Sequence, residues 1–155
     1  MEFSVFFDKG VSRSNNEDNY IINESIEYTV VAVADGMGGH NAGEVASKTA
    51  IECIREYDFD FQKDIIDDIK NLINKINNKI KEKSKNDIEY EGMGTTLSLG
   101  IISNNELYFG HIGDSRIFIY KNNELQQLTC DHTLVNELIR ENKIKKEDAF
   151  NHPNN

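Results

Sequence analysis

Apolar positions along the chain follow two different spacings. Residues 2–8, EFSVFFD, nearly alternate and carry strand-forming side chains, which predicts a first strand. GVSRSNNED, residues 10–18, is polar and reads as a loop. NYIIN and EYTVVAVAD predict two strands joined by a short turn. The second of these is almost continuously apolar, as expected of a strand covered on both faces. From Asn41 or Ala42 the spacing lengthens. AGEVASKTAIECIREY sets Val45, Thr49, Ile51, Ile54 and Tyr57 at helical intervals. A second helix is predicted from about Phe61 to Lys83. Its stripe of Ile65, Ile66, Ile69, Leu72, Ile73, Ile76 and Ile80 faces a sheet, and its other face is polar.

KSKNDIEYEG reads as an exposed connection, after which strand character returns. GTTLSLGII, ELYFGHIG, SRIFIYK and ELQQLT predict an antiparallel meander. Its turns fall at Ser103–Asn105, Gly113–Asp114 and Asn122–Asn123. DHTLVNELIRE then opens a helix, with Asp131 or Thr133 as its N-cap. Strands, two helices, strands and a last helix make an α+β fold, with helices laid over antiparallel sheet.

The 155 residues suit one domain. A formal net charge of −10 argues against a nucleic-acid or anionic-membrane surface, where cationic groups supply most of the affinity. Either the acids serve solubility or some of them gather around a cation. Cys53 and Cys130 form no CxxC pair and read as reduced core thiols. The start lacks a basic n-region, and the longest apolar run is too short for a bilayer, so a cytoplasmic setting is expected.

Asp35 closes the most apolar strand and is followed by Gly36, Gly38 and Gly39. Glycine lets a ligand approach the main chain, so a carboxylate and bare carbonyls can face one point. Hard divalent ions such as Mg²⁺ or Mn²⁺ take such oxygen donors. A tight turn capped by Asp35 is the competing reading. The stretch is neither a P-loop, lacking GK[ST], nor GxGxxG, since Asn41 stands at the last glycine. In the first loop Arg13 stands four residues before the adjacent acids Glu17 and Asp18. A guanidinium grips phosphate oxygens in a fixed fork, and the acids beyond it suit a metal or its waters. Asp114 lies in a third acidic turn, HIGDSR.

Taken in order, GVSRSNNEDNY, VAVADGMGGHNAGEVAS, GMGTTLSLGII, GHIGDSRIFIY, LTCDHT and the terminal HP resemble the metal-dependent PPM (PP2C-type) Ser/Thr protein phosphatases in their bacterial form. The resemblance implies a sandwich of two antiparallel β-sheets flanked by helix pairs. It also implies hydrolysis of phosphoserine and phosphothreonine with two Mn²⁺ or Mg²⁺ ions and a water shared between them. By resemblance, Asp35 is the bridging carboxylate, the Gly36 carbonyl serves one metal, and Glu17 and Asp18 match the acidic pair. Arg13 matches the phosphate-gripping arginine and Asp114 an acid of a third, weaker metal site. The implied partners are phosphorylated proteins, with a Hanks-type Ser/Thr kinase and its targets. Met37 stands where many eukaryotic relatives place a histidine general acid. His40 is not promoted to that role, and His111 and His132 are read as structural.

The family pattern continues beyond HP, through a late Asp-Gly turn and a final Asp-Asn pair that complete a metal shell. Residues 1–155 are therefore expected to form the N-terminal two-thirds of one phosphatase domain, incomplete at the C-terminus, weakly active or inactive. A non-catalytic relative that binds phosphoproteins is the alternative.

Overall fold

In the computed structural model, residues 1–11, 15–39, 41–145 and 147 are described. They divide into two compact units, Met1–Gly110 and His111–Asn155.

The first unit is built on an antiparallel sheet. β1 (Asp18–Glu24) pairs with β2 (Thr29–Met37), which pairs on its other side with β4 (Leu97–Ser103). The short β3 (Gly94–Thr95) continues that side of β2, and β5 (Glu106–Ile112) follows β4. Along β2, Val30, Ala32, Ala34 and Gly36 are buried, while Val33, Asp35 and Met37 are exposed. The sequence predicts cover on both faces of this strand; the structure covers one. Strand alternation thus sends Asp35 to the open face and Gly36 to the helix-covered face.

That cover comes from α1 (Ala42–Arg55) and α2 (Ile65–Asn86). Ala42, Ala46 and Ala50 of α1 are buried, small enough to bring the helix backbone close to the sheet. α2 buries Ile65, Ile69, Leu72, Ile76 and Ile80, the stripe expected from its spacing, whereas Ile66 is exposed. It begins at Ile65 rather than near Phe61, because the Asp64 carboxylate accepts from the Ile66 amide at 2.9 Å and caps the helix there. Phe61 instead leans on Tyr28, ring centroids 5.2 Å apart. Residues 83–92, read as a plain connection, hold the end of α2 and a single 3-10 turn, Ile88–Tyr90, capped by the Asp87 carboxylate.

β4 and β5 are joined through Asn104 and Asn105, both at positive φ, 50° and 63°. Asparagine tolerates this left-handed backbone, and two such residues in a row make the type I′ turn that suits the twist of a hairpin. In the second unit, β6 (Phe118–Lys121) and β7 (Glu124–Gln127) repeat the device with Asn122 and Asn123, at φ 55° and 64°. α3 (Leu134–Arg140) follows, capped by the Thr133 hydroxyl, which accepts from the Asn136 amide at 3.2 Å.

Three further sequence expectations need correction. The four late strands make no single meander: β4 and β5 belong to the large sheet, while β6 and β7 form a two-stranded sheet of their own. Residues 2–8 form no strand, and Phe6 is 93% exposed: alternation marks a segment fit for a sheet but supplies no partner for its backbone. Cys53 is a buried free thiol as expected, but Cys130 is exposed and is no core residue. Among the described residues no helix is long and apolar enough to cross a membrane.

Candidate metal centre

The β1–β2 register sets Asp18 directly opposite Asp35. Both acids therefore lie on one side of the sheet, at the end of the hairpin nearest α1. Asp35 is exposed, but its main chain is held from β3 and the residue after it. The Asp35 amide donates to the Thr96 hydroxyl at 3.0 Å. The Asp35 carbonyl accepts from the Thr96 amide at 2.9 Å and from the Thr95 hydroxyl at 3.0 Å. A strand end that would otherwise fray is fixed, and its carboxylate faces solvent.

Glu17 sits just before β1, on the helix-covered side. Its carbonyl accepts from the Gly36 amide at 3.2 Å and from the Ser47 hydroxyl of α1 at 2.5 Å. Asn19 donates from Nδ2 to the same Ser47 Oγ at 2.9 Å. The Glu17 carboxylate lies against Gly43 in the first turn of α1, so close that a β carbon on Gly43 would stand 2.6 Å from Glu17 Oε2. A β carbon on Gly36 would lie 2.1 Å from the Gly43 carbonyl oxygen. These two glycines let a strand end and a helix start touch backbone to backbone, which gathers Glu17, Gly36 and Asp35 at one end of the sheet. The neighbouring Asn15 donates to the Glu44 carboxylate at 2.9 Å. Asn16 Oδ1 accepts from the Asp18 amide at 2.9 Å, while its Nδ2 is buried without a partner.

The structure therefore makes Glu17, Asp18, Asp35 and Gly36 main-chain neighbours at one end of the sheet, with the Asp18 and Asp35 side chains on the open face and that of Glu17 on the helix-covered side. Arg13 and His40 lie outside the described residues, as does Asp148. Asp114 belongs to the second unit, where it is exposed. There His111 Nε2 is 3.0 Å from the Gly113 carbonyl, and the His111 and His132 rings lie 5.3 Å apart, an arrangement that shapes the turn before Asp114. Sequence reading missed Asn19, Ser47, Thr95 and Thr96, which hold the acids in place. The pair of threonines after Gly94 was visible as a strand, but nothing in it announced a contact with a residue some sixty positions earlier.

The donors at the sheet end are all oxygens, the set that hard divalent ions prefer over thiolate or imidazole. Among the described residues no three His, Cys, Asp or Glu side chains converge tightly enough to hold an ion by themselves. Asp35 is the exposed carboxylate of this group.

A family model described as Protein phosphatase 2C matches residues 11–150. The chain is 39% identical over 158 residues to the protein phosphatase PhpP of Streptococcus pneumoniae, covering 99% of this chain and 64% of PhpP. Its structure is similar to that of the Streptococcus agalactiae serine/threonine phosphatase, with TM-score 0.84, 36% identity, and 97% of this chain and 64% of the other covered. It is also similar to the catalytic domain of the serine/threonine protein phosphatase PstP, crystallised in complex with two manganese ions. There the TM-score is 0.75 and the identity 38%, with 92% of this chain and 60% of that one covered. The chain thus spans under two thirds of the length of these relatives. A match over most of its length, with the α+β fold of antiparallel sheets and helices found in those structures, places the chain in the protein phosphatase 2C family.

Proposed function

We propose that the chain acts as a metal-dependent protein serine/threonine phosphatase, removing phosphate from phosphoserine and phosphothreonine in other proteins. The observation that supports this best is Asp35: an exposed carboxylate on a strand end whose main chain is fixed through Thr95 and Thr96. Asp35, the Gly36 carbonyl and Glu17 would hold Mn²⁺ or Mg²⁺, with Asp18 alongside. When bound, such ions supply Lewis acidity and neutralise the phosphoryl oxygens.

The protein's own groups do the positioning. Thr95 and Thr96 keep Asp35 from swinging with a loose strand end. Ser47 and Asn19 tie the segment before β1 to α1, so Glu17 keeps its place. Arg13 is assigned to the phosphate, since a guanidinium's planar fork suits two phosphoryl oxygens. Asp114 is assigned to a further, weaker ion. Phosphoproteins made by a Hanks-type kinase are the proposed substrates. Because no three acidic side chains converge among the described residues, this chain by itself should bind Mn²⁺ weakly and turn over slowly.

Phosphate release from p-nitrophenyl phosphate and from a phosphothreonine peptide, with and without Mn²⁺, tests the reading on the unaltered chain and on Asp35→Asn. Slow release that needs Mn²⁺ and is lost in Asp35→Asn is expected. Release that ignores Mn²⁺, or that survives Asp35→Asn, overturns it. Peptide binding with no release would instead identify a phosphoprotein-binding relative.

A further inference from the structure

Four residues beyond Asp35 the chain enters one wall of a groove of about 670 Å³. This wall is Gly39, Asn41 and Ala42, at the start of α1; the other is Ile88–Glu91, the 3-10 turn and the residue after it. The volume lies within the range of roughly 300–1,000 Å³ typical of ligand sites. Both walls are fixed by hydrogen bonds. The Ala42 amide donates to the Gly39 carbonyl at 3.1 Å. On the far side Asp87 caps Glu89 at 3.0 Å, and the Met93 amide donates to the Tyr90 carbonyl at 3.2 Å.

The lining has a definite chemistry. Ile88 is 85% exposed, an apolar side chain held out on a rigid turn. Glu89 and Glu91 flank the half-buried Tyr90 and are both exposed. Among the described residues no lysine or arginine lines the groove and neither glutamate is in an ion pair. An acidic wall beside an exposed isoleucine complements a cationic segment that carries one apolar side chain, and it repels an anionic one. The chain's net charge of −10 favours encounter with such a segment.

Resting on the phosphatase reading, we propose that this groove seats the polypeptide flanking the phosphorylated residue and selects substrates with lysine or arginine, plus an apolar side chain, beside it. Glu89 and Glu91 would be the charge-selecting residues and Ile88 the apolar contact.

The test is binding, read by fluorescence anisotropy of labelled phosphothreonine peptides on the full 155-residue chain. One peptide carries Lys, Arg and Leu beside the phosphothreonine; its counterpart carries Glu at the basic positions. The basic peptide should bind at least about tenfold tighter, a difference near 1.4 kcal/mol. E89K/E91K should abolish or invert that preference, and Ile88→Ala should weaken only peptides that contain leucine. All three side chains are exposed, so the variants should melt as the unaltered chain does. Equal binding of the two peptides, no binding of either, or a preference that survives E89K/E91K overturns the proposal. Failure of the phosphatase reading registers separately, as hydrolysis that does not need Mn²⁺ or Asp35.

Discussion

Gly36 and Gly43 meet main chain to main chain, with the Gly43 carbonyl oxygen occupying the space where a β carbon of Gly36 would lie, 2.1 Å away. A third backbone atom, the Glu17 carbonyl oxygen, would be 2.7 Å from the same carbon. Neither neighbour is the loose end of a side chain. Gly36→Ala must therefore push α1 off the sheet or bend β2, and overpacking of this kind costs about 1–3 kcal/mol. Urea denaturation followed by circular dichroism should show that loss. Because the displaced strand end carries Asp35, Mn²⁺ affinity measured by calorimetry should fall as well. A variant as stable as the unaltered chain would mean that the contact is not tight.

Thr96 holds the Asp35 amide and donates its own amide to the Asp35 carbonyl. Thr96→Val keeps the shape and the amide but deletes the hydroxyl. Loss of the bond from the Asp35 amide should by itself cost about 0.5–1.5 kcal/mol of stability. If the threonine positions the acid, Mn²⁺ affinity should drop beyond what the small stability change explains, and Thr96→Ser should restore it. Equal affinities in all three proteins would leave Thr96 a purely structural residue.

The lone aspartate and the glycines of ADGMGG were legible as an acid at a strand end followed by a turn, whereas the contact that makes Gly36 intolerant of a β carbon comes from Gly43 and was not. The hairpins were legible too, since Asn104–Asn105 and Asn122–Asn123 carry their turn chemistry in two residues. Partners distant in sequence were not. Asn19 and Ser47 lie 28 positions apart, and Asp35 and Thr96 lie 61 apart. Periodicity reports which face a residue uses, not what waits there. Residues 2–8 failed on that account, reading as a strand while lacking a ladder partner. Cys130 failed because cysteine is usually buried, and the segment before α3 leaves it exposed.

The sheet face opposite α1 and α2 exposes Tyr20, Val33, Leu107 and Phe109 together. Gly100 lies beneath Val31 and Leu107, whose side chains cross it on that same face. Contiguous apolar surface of this sort drives association in water. The chain is expected to self-associate as its concentration rises, visible in sedimentation velocity. Val33→Lys combined with Leu107→Lys should shift the distribution toward monomer without lowering the melting temperature. A monodisperse monomer at every concentration tested would contradict this.

In the second unit Arg116 clasps Asp131, Nη2 to Oδ2 at 2.5 Å and Nε to Oδ2 at 2.9 Å. Gln127 Nε2 adds a bond to Asp131 Oδ1 at 3.2 Å. The hydrogen bonds from Arg116 lower the Asp131 carboxyl below its ordinary value, against the smaller opposing effect of burial. A carboxyl depressed on folding stabilises the fold fully above its unfolded value of about 3.9. That contribution fades as pH falls through the lower folded value. Carbon-13 NMR of the Asp131 carboxyl should therefore show a midpoint below the ordinary range. Arg116→Gln should bring that midpoint back up, and the melting temperature of Asp131→Asn should vary less between neutral and acid pH than that of the unaltered chain. A midpoint that stays ordinary with Arg116 present would show that the guanidinium does not hold the carboxylate in solution.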